Sequence, residues 1–440
     1  MSSTIGSLTI ATSFVNLNFP EKIHPPIATG SNPLYKLAIR YKIRSNRREI
    51  PYPMPTQKIL TRDFLLSFFA QFAFSSVFCI LIPTLPIYLS RSGSPEAEIG
   101  VLIGTFSVSS LILRPFIGRA LLKIPERNFM IAGAILYAFS SIAYLLASPF
   151  WPFFIVRVLQ GMGLAFFSTA SFTLIANISP EAHRGQSLSY YYLAINIAFV
   201  LAPYFGMLLI NLFNFTILFL VCTGLSLSSL FITTNLEKRK DDPLPYSSFR
   251  DQSFVSREAL PSSIMAFMVN IVWGAILAFF PLYALSHGVS NPGLFFGALA
   301  IVHVLGRALG GKILDIYSRE RVILPCLIAY IISMVTLAFS KTLPMFILVA
   351  VIWGIGNAFL YPTLVAYVID RASFSRGLAM GTFSALADLG SGLGSVIMGI
   401  ILQLTNYTTM FLALAFTGII NLLYFQFFVR KKGGGRYAYL

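Results

Sequence analysis

Charged residues are scarce in this chain. Only 11% of its 440 residues are Asp, Glu, Lys or Arg, whereas soluble globular proteins carry about 25%. Such a deficit cannot cover the surface of two or three water-soluble domains, although the length would allow them. Together with 56% hydrophobic residues and a mean hydropathy of +0.76, the composition predicts an integral membrane protein.

Residues that carry catalytic or redox chemistry are also few. The four histidines and three cysteines are scattered, and no HExxH, GxSxG or GxxxxGK[ST] motif occurs. Cys79, Cys222 and Cys326 lie singly in apolar runs and are interpreted as packing residues. The sequence therefore argues against an intramembrane enzyme and against ATP hydrolysis, and no metal or cofactor is expected.

The basic excess, a net charge of +16, lies between the apolar runs. A nucleic-acid-binding protein would interleave basic residues with stacking aromatics, whereas the aromatics here lie inside the apolar runs. We therefore expect no nucleic-acid partner and interpret the positive charge as attraction to anionic membrane lipids.

Twelve apolar runs follow one another, and each is long enough for a membrane-spanning helix of roughly 20 residues. The fold class predicted is all-α, with twelve transmembrane helices in two six-helix pseudo-repeats around a central cavity. The runs lie at 62–89, 98–121, 128–147, 152–177, 187–210, 215–234, 261–285, 294–314, 322–340, 344–369, 378–402 and 408–429.

The polar segments divide the chain. We predict a disordered basic tail, a six-helix half, a cytoplasmic linker, a second six-helix half and a short tail. An organelle transit peptide is an alternative for the first segment, and translation from Met54 is another. The boundaries are 1–57, 58–234, 235–260, 261–429 and 430–440.

Basic residues also predict the orientation. All but three of the 32 Lys and Arg residues fall in segments or span ends on the side that holds both tails and the linker. Basic residues accumulate on the cytoplasmic side of membrane proteins. Both termini are therefore expected in the cytoplasm, in a multi-pass protein of the plasma membrane.

The two halves repeat at the level of single residues. Matching residues recur with an offset of 193 positions in spans 2 and 8 and in spans 4 and 10. A parallel repeat of six spans is typical of carriers whose substrate site lies between the halves. The matching pairs are Arg114 with Arg307, Gly118 with Gly311, Gly161 with Gly354, and Gly163 with Gly356.

These motifs resemble the major facilitator superfamily. The segment from Gly311 to Arg321 is similar to the signature that follows span 2 in that family, and Arg157-x-x-Gln160-Gly-x-Gly resembles its span 4 element. Ala202-Pro203-x-x-Gly206 is close to an element of antiporters. Together they resemble the drug:proton antiporter and sugar-efflux branch.

The resemblance implies two sets of site residues. A cytoplasmic gate would comprise Arg114, Gly118, Arg307, Gly311, Asp315 and Arg319. A helix-packing motif at the moving seam would comprise Gly161, Gly163, Pro203 and Gly206. The alternatives are solvated charges at span ends and ordinary tight packing. The first-half copy of the signature is degenerate, because Leu122 stands where the family has Asp.

Charge inside the hydrocarbon is the sharper signal, since a charged side chain at mid-span costs about 2.5–3.5 kcal/mol. Asp388, His303 and Arg157 are the deep ionisable residues, and Asp388 lies about 15 Å from the cytoplasmic start of its span. We predict that Asp388 and His303 form a protonatable pair, with Arg157 nearby. The alternatives are a hydrogen-bonded carboxyl, a packing histidine and an arginine anchored to backbone carbonyls.

Uncharged polar residues in the spans are the candidates for the cavity wall. A phenylalanine-rich cavity with few charges would suit an apolar or weakly charged solute better than a dianion. The candidates are Gln71, Gln160, Asn196, Asn270, Asn357 and Tyr361.

The sequence thus predicts a monomeric secondary transporter for a small-molecule substrate. The hypothesis is proton-coupled efflux by alternating access. A uniporter, a proton-coupled importer and a non-transporting receptor on the same fold are the alternatives.

Overall fold

The structure is a computed structural model that describes residues 60–121, 123–146, 150–180, 183–237, 256–316, 318–371 and 376–430. Within these ranges it describes no side chains for 184, 185, 307–316, 371, 376 and 377. The predicted tails and most of the predicted linker lie outside the described residues, so their boundaries stay predictions.

The described part of the chain contains twelve long helices, as predicted, and each overlaps one apolar run. They are α1 (Arg62–Arg91), α2 (Glu96–Ala120), α3 (Glu126–Ala143), α4 (Phe150–Ile178), α5 (Arg184–Leu212), α6 (Phe215–Thr234), α7 (Leu260–Ser286), α8 (Gly293–Ile316), α9 (Arg319–Phe339), α10 (Leu343–Arg371), α11 (Arg376–Leu404) and α12 (Tyr407–Tyr424). A π-helical turn, Phe425–Val429, extends α12.

Ten of these helices are long and apolar enough by themselves to cross a membrane. In α8, whose side chains are described as far as Gly306, the described apolar stretch is Gly293–Gly306. The remaining helix, α3, has 18 residues and begins with Glu126 and Arg127.

Repeated capping residues start the last helix of each half. The Asn214 side chain accepts a hydrogen bond from the backbone N–H of Ile217 at 2.9 Å, and Asn406 accepts one from Thr409 at 2.9 Å. Asparagine satisfies one of the free N–H groups at a helix start. The two caps stand 192 positions apart, so the repeat includes helix starts.

Glycine contacts confirm the repeat in three dimensions. Gly161 of α4 packs on α2, and its counterpart Gly354 of α10 packs on α8. Gly163 packs on α3, and its counterpart Gly356 packs on α9. Because α8 and α9 are the repeat equivalents of α2 and α3, the same side of the same helix makes the same contact in both halves.

Two seams join the halves. Helix α2 packs along α11, and α5 packs along α8, while α1 and α2 also touch α7. By the repeat, α2 corresponds to α8, and α5 corresponds to α11. The α2–α11 seam therefore corresponds to the α5–α8 seam. The connections 92–95, 213–214, 287–292 and 405–406 define what we call the distal end of the bundle, and the opposite end, where most basic residues lie, is the basic end.

Candidate functional site

A cavity of about 170 Å³ lies between the two halves. Pockets for drug-sized ligands measure about 300–1,000 Å³, so this conformation leaves room for a small solute only. Five helices, α1, α2, α4, α7 and α11, contribute to the wall. The lining residues are Phe78, Leu81, Ile82, Leu85, Ile103, Phe106, Ser107, Arg157, Leu164, Asn270, Trp273, Leu277, Asp388 and Ser391.

An ion pair crosses the α2–α11 seam at this cavity. Arg114 Nη1 of α2 lies 2.5 Å from Asp388 Oδ2 of α11. The two side chains keep 35% and 29% of their surface exposed, and Asp388 belongs to the cavity wall, although its Oδ2 atom is buried. The pair therefore links one half to the other at the wall of the cavity.

We predicted His303 as the partner of Asp388; the ion pair of that carboxylate is with Arg114, and the pairing with His303 stays a prediction. This contact was not expected, because Arg114 stands near the end of its apolar run in the sequence. A long arginine stem lets the charged head lie far from its own backbone, so Arg114 reaches the level of Asp388. The His303 ring lies against Trp273, with 6.5 Å between the ring centroids.

On the distal side of the ion pair, the α2–α11 seam is sealed by backbone. A Cβ on Gly104 would lie 2.5 Å from the Gly392 carbonyl oxygen, and a Cβ on Gly399 would lie 2.7 Å from the Glu96 carbonyl oxygen. Such distances are shorter than van der Waals contact. The α2–α11 seam therefore leaves no passage from the cavity to the distal end.

On the basic side of the ion pair, the same seam is open. Among the described residues, a Cβ on Gly118 of α2 or on Gly381 of α11 would meet no atom within 4 Å. The Arg114–Asp388 pair thus marks the boundary between the sealed and the open part of the seam.

Arg157 of α4 is buried in the cavity wall and bound to neutral groups. Its Nε donates to the Leu102 carbonyl at 2.8 Å, its Nη2 to the Ile103 carbonyl at 3.2 Å, and its Nη1 to Gln160 Oε1 at 2.6 Å. The guanidinium also lies 4.7 Å from the centre of the Phe106 ring. Within the described residues no carboxylate oxygen lies within 4.0 Å of it. Arg157 therefore anchors α4 to α2 and brings an unneutralised positive charge to the cavity.

Asn270 is the predicted cavity residue that lies in the wall. Its amide donates to the Ala266 carbonyl of its own helix at 2.8 Å, which leaves the amide oxygen for a ligand. It lies on α7, between the rings of the wall and the carboxylate of α11.

Gln71 and Gln160, also predicted to line the cavity, are instead buried in side-chain networks of the N-terminal half. Gln71 binds Ser75, Ser171 and Tyr191, and Gln160 accepts from Tyr144 Oη at 2.6 Å and from Arg157. Burial drives this outcome, since an amide inside a bundle finds partners on neighbouring helices.

The other three cavity candidates are partly buried outside this wall. Asn196 lies on α5, and Asn357 and Tyr361 lie on α10. Tyr361 packs edge-on against Phe383, with 5.4 Å between the ring centroids. In this conformation α5 and α10 add no side chain to the described cavity wall.

The predicted gate residues fall into separate places. Arg114 belongs to the ion pair at the cavity. Arg319 lies 2.5 Å from Asp370 of α10, so this contact stays within the C-terminal half. The side chains of Arg307, Gly311 and Asp315 are outside the described ones, and their gating role stays a prediction.

The residues of the predicted helix-packing motif also lie in different places. A Cβ on Gly206 would lie 3.0 Å from the Ile80 carbonyl oxygen of α1, so Gly206, like Gly161 and Gly163, packs inside the N-terminal half. The carbonyl of Pro203 faces Gly293 of α8, which places Pro203 on the α5–α8 seam.

Aromatic residues of the cavity were missed by the sequence reasoning, which searched for polar groups. Phe78 and Phe106 stack with centroids 5.3 Å apart, and Trp273 stacks on Phe199 of α5 at 5.8 Å. Trp273 could have been noticed because the chain has only three tryptophans and this one shares a span with Asn270.

Comparisons with known proteins agree with this architecture. The chain matches the Major Facilitator Superfamily over residues 64–314 and 262–437. It is 27% identical to the staphylopine export protein of Staphylococcus aureus strain Mu50 over 364 residues, which cover 79% of this chain and 91% of that protein. It is 21% identical to the quinolone resistance protein NorA of Staphylococcus aureus strain MSSA476 over 360 residues, 78% of this chain and 91% of that protein.

The fold is also that of a solved transporter. The structure superposes on the nucleoside transporter NupG with a TM-score of 0.70 at 15% identity, covering 83% of this chain and 98% of NupG. Twelve helices in two repeated halves, a cavity between them and a family match along most of the chain lead to one conclusion: this multi-pass membrane protein belongs to the Major Facilitator Superfamily and is a transporter rather than an enzyme.

Proposed function

We propose that this transporter exports a small organic solute across the plasma membrane in exchange for protons. The observation that carries the proposal is the Arg114–Asp388 ion pair, because it joins the two halves at the wall of the cavity. The relatives support the direction of transport, since one is an export protein and the other confers resistance to quinolones.

Coupling would arise from competition at the Asp388 carboxylate. Ion pairing with Arg114 and proton binding use the same oxygen atoms, so a proton that binds Asp388 removes the charge that holds α2 to α11. The seam would then be free to change conformation, and a solute bound at Asp388 in place of Arg114 would free it in the same way. Solute loaded on the basic side would leave on the distal side, where a proton takes its place; the proton would leave on the basic side, and the ion pair would restore the present conformation.

The direction depends on orientation. With both termini in the cytoplasm, as the basic residues predict, the open part of the seam faces the cytoplasm and the sealed part faces outward. The described conformation would then be the one that loads solute from inside, which suits an exporter. A uniporter or a proton-coupled importer would use the same seams, and a receptor would not complete the cycle.

The first experiment follows the seam without any substrate. A cysteine replaces Ser107 in the cavity wall, and an impermeant maleimide is added from the distal side. Labelling is normalised to the SDS-unfolded protein at each pH. Lowering the pH from about 8 to about 5, the range in which carboxylate and imidazole groups titrate in proteins, should increase labelling several-fold. Asp388→Asn should show no such response.

Two controls assign the response to Asp388. Asp370→Asn removes a carboxylate whose ion pair lies within one half and should keep the pH response. His303→Gln should shift the midpoint of the response without abolishing it. A response that survives in Asp388→Asn would place the proton site elsewhere.

The second experiment measures coupled transport. In proteoliposomes with an imposed pH gradient, small aromatic solutes that are neutral, cationic, anionic or zwitterionic serve as probes of export. Wild type should accumulate at least one of them against its gradient, and Asp388→Asn should retain only exchange without accumulation. Accumulation by Asp388→Asn would leave this carboxyl with a structural role.

A further inference from the structure

The charges of the cavity wall come from opposite halves. Arg157 belongs to α4 in the N-terminal half, and Asp388 belongs to α11 in the C-terminal half; both line the cavity. They are the charged residues in the described wall, because Arg114 approaches Asp388 from outside it. The wall therefore presents one positive and one negative group to a bound solute.

Each of these groups keeps capacity for a ligand. Arg157 has five N–H donors, and the three hydrogen bonds to protein acceptors use three of them. Those acceptors are neutral, so the positive charge is not cancelled. Arg114 contacts Oδ2 of Asp388, and no hydrogen bond from another described residue reaches that carboxylate.

Between the two charges the wall is aromatic. Phe106 lies under the Arg157 guanidinium and stacks on Phe78. Trp273 is held by stacking on Phe199 and by Trp353, whose ring centroid lies 5.4 Å from its own. Rings that are fixed by their neighbours offer flat faces on which an aromatic solute gains about 0.5–1.5 kcal/mol beyond its burial.

We propose that the cavity selects a small zwitterionic aromatic solute, with its anionic group at Arg157, its cationic group at Asp388 and its ring between Phe106 and Trp273. This proposal rests on the proposed transport function. A cation alone would leave Arg157 unneutralised in a cavity of low polarity, and an anion alone would gain nothing from Asp388. A dianion would bring a charge for which the described wall has no partner.

The proposed solute also explains how transport and protons would be linked. Its cationic group needs the Asp388 carboxylate in its charged form, so solute and proton compete for one site. Its anionic group binds the other half, so an occupied cavity connects α4 to α11. A cationic group at Asp388 would displace Arg114 as a proton does, so a bound solute would also release the α2–α11 seam and could be carried to the distal side, where a proton takes its place.

The test is binding to the full-length protein in nanodiscs without a pH gradient, using probes that share a ring and differ in charge. The zwitterion is 4-(aminomethyl)benzoate, the anion 4-methylbenzoate, the cation 4-methylbenzylamine and the neutral probe 4-methylbenzyl alcohol. L-Tryptophan and tryptamine repeat the comparison with a shorter separation of charges. The zwitterion of at least one series should bind about tenfold or more tighter than its singly charged relatives.

Two variants separate charge recognition from structural damage. Arg157→Gln should abolish the preference for the zwitterion over the cation, while Arg157→Lys should retain part of it. Asp388→Asn should abolish the preference for the zwitterion over the anion. Loss of fold would weaken all probes alike, so the ratio between probes is the readout. The charge control is Lys341→Gln, which removes an exposed cation outside the cavity and should leave every ratio unchanged.

Equal binding of all four benzyl probes together with equal binding of L-tryptophan and tryptamine, or ratios that both variants leave unchanged, would overturn the proposal. So would tighter binding of a singly charged probe than of its zwitterion. These outcomes would leave proton-driven transport of another small solute and the pH response of the seam standing. Failure of those two assays with zwitterion binding intact would instead reject the coupling.

Discussion

The two seams between the halves are equivalents in the repeat, yet they differ in chemistry. The α2–α11 seam combines glycine-to-backbone contacts with the Arg114–Asp388 ion pair. The α5–α8 seam brings glycines of α8 against α5 backbone and adds a stack of Phe199 on the C-terminal half. One seam therefore carries charge and the other carries aromatic surface.

The repeat identifies the residue that makes the difference. An offset of 192, the spacing between Asn214 and Asn406, relates Asp388 of α11 to Asn196 of α5. Arg307 is the counterpart of Arg114. The arginine thus recurs in both halves, whereas the acid has an amide as its counterpart. A proton at Asp388 therefore changes the charge of the α2–α11 seam, whereas the repeat-related amide of Asn196 does not titrate.

The largest effect is expected where the sealed part of the charged seam is broken. Gly399→Ala brings a Cβ to 2.7 Å from the Glu96 carbonyl oxygen. Overpacking of this kind costs about 1–3 kcal/mol, and here separation of α2 from α11 relieves it. Labelling of the Ser107→Cys reporter from the distal side should therefore rise several-fold at neutral pH, without acidification.

Gly381→Ala is the matched control for this change. It places the same methyl group on the same helix, α11, in the open part of the seam, where no atom lies within 4 Å of the new Cβ. Its labelling should equal that of wild type, and its stability should be unchanged or slightly higher because alanine favours helix. Equal labelling of the two variants would show that glycine packing does not seal the distal end.

The next effect concerns the ion pair itself. Arg114→Gln leaves the Asp388 carboxylate without its ionic partner. A charged group that loses its hydrogen-bond partner lowers the free energy of unfolding by about 1–3 kcal/mol. Arg114→Gln/Asp388→Asn removes both charges and should recover most of that loss. Thermal unfolding of the four proteins in one detergent gives the coupling energy.

The within-half pair provides the comparison. Arg319→Gln and Asp370→Asn, alone and together, should show a coupling below about 1 kcal/mol, the usual range for exposed ion pairs, since this pair joins helices of one half and the acid keeps 43% of its side-chain surface exposed against 29% for Asp388. Equal coupling energies for the two pairs would mean that the seam pair has no special weight in joining the halves.

These contrasts also indicate what could be predicted from sequence. The twelve helices and their repeat follow from hydropathy and from residue spacing, and both are recovered in the structure. The prominence of Asp388 follows from the cost of a charge in hydrocarbon. The partner of Asp388 does not follow from the sequence. Arg114 lies on a helix of the other half and reaches the carboxylate through its long side chain, and the periodicity of one helix does not indicate a neighbour on another helix.

Two of the polar cavity candidates lie outside the described cavity wall for a related reason. Gln71 and Gln160 look equivalent to Asn270 in sequence, since each is a single amide in an apolar span. The structure separates them by rotation about the helix axis: the two glutamines face hydroxyl groups and Arg157 within their own half, while Asn270 faces the cavity. Hydropathy gives the depth of a residue in the membrane, but which neighbour it meets depends on tertiary packing.

The smallest effect is expected from moving the acid to the other seam. In the Asp388→Asn background, Asn196→Asp places a carboxyl at the repeat-related position of α5. If coupling needs only an acid at a seam that has the repeated arginine, pH-dependent labelling of the Ser107→Cys reporter should return in part. A weak bias between the two conformations would restore about a tenth or more of the wild-type response. Asn196→Asp alone, with Asp388 present, is the control and should steepen the response slightly. A double variant that stays as unresponsive as Asp388→Asn would show that the seams are not interchangeable. The position of Asp388 in the cavity wall, which Asn196 lacks in this conformation, would then be the property that coupling requires.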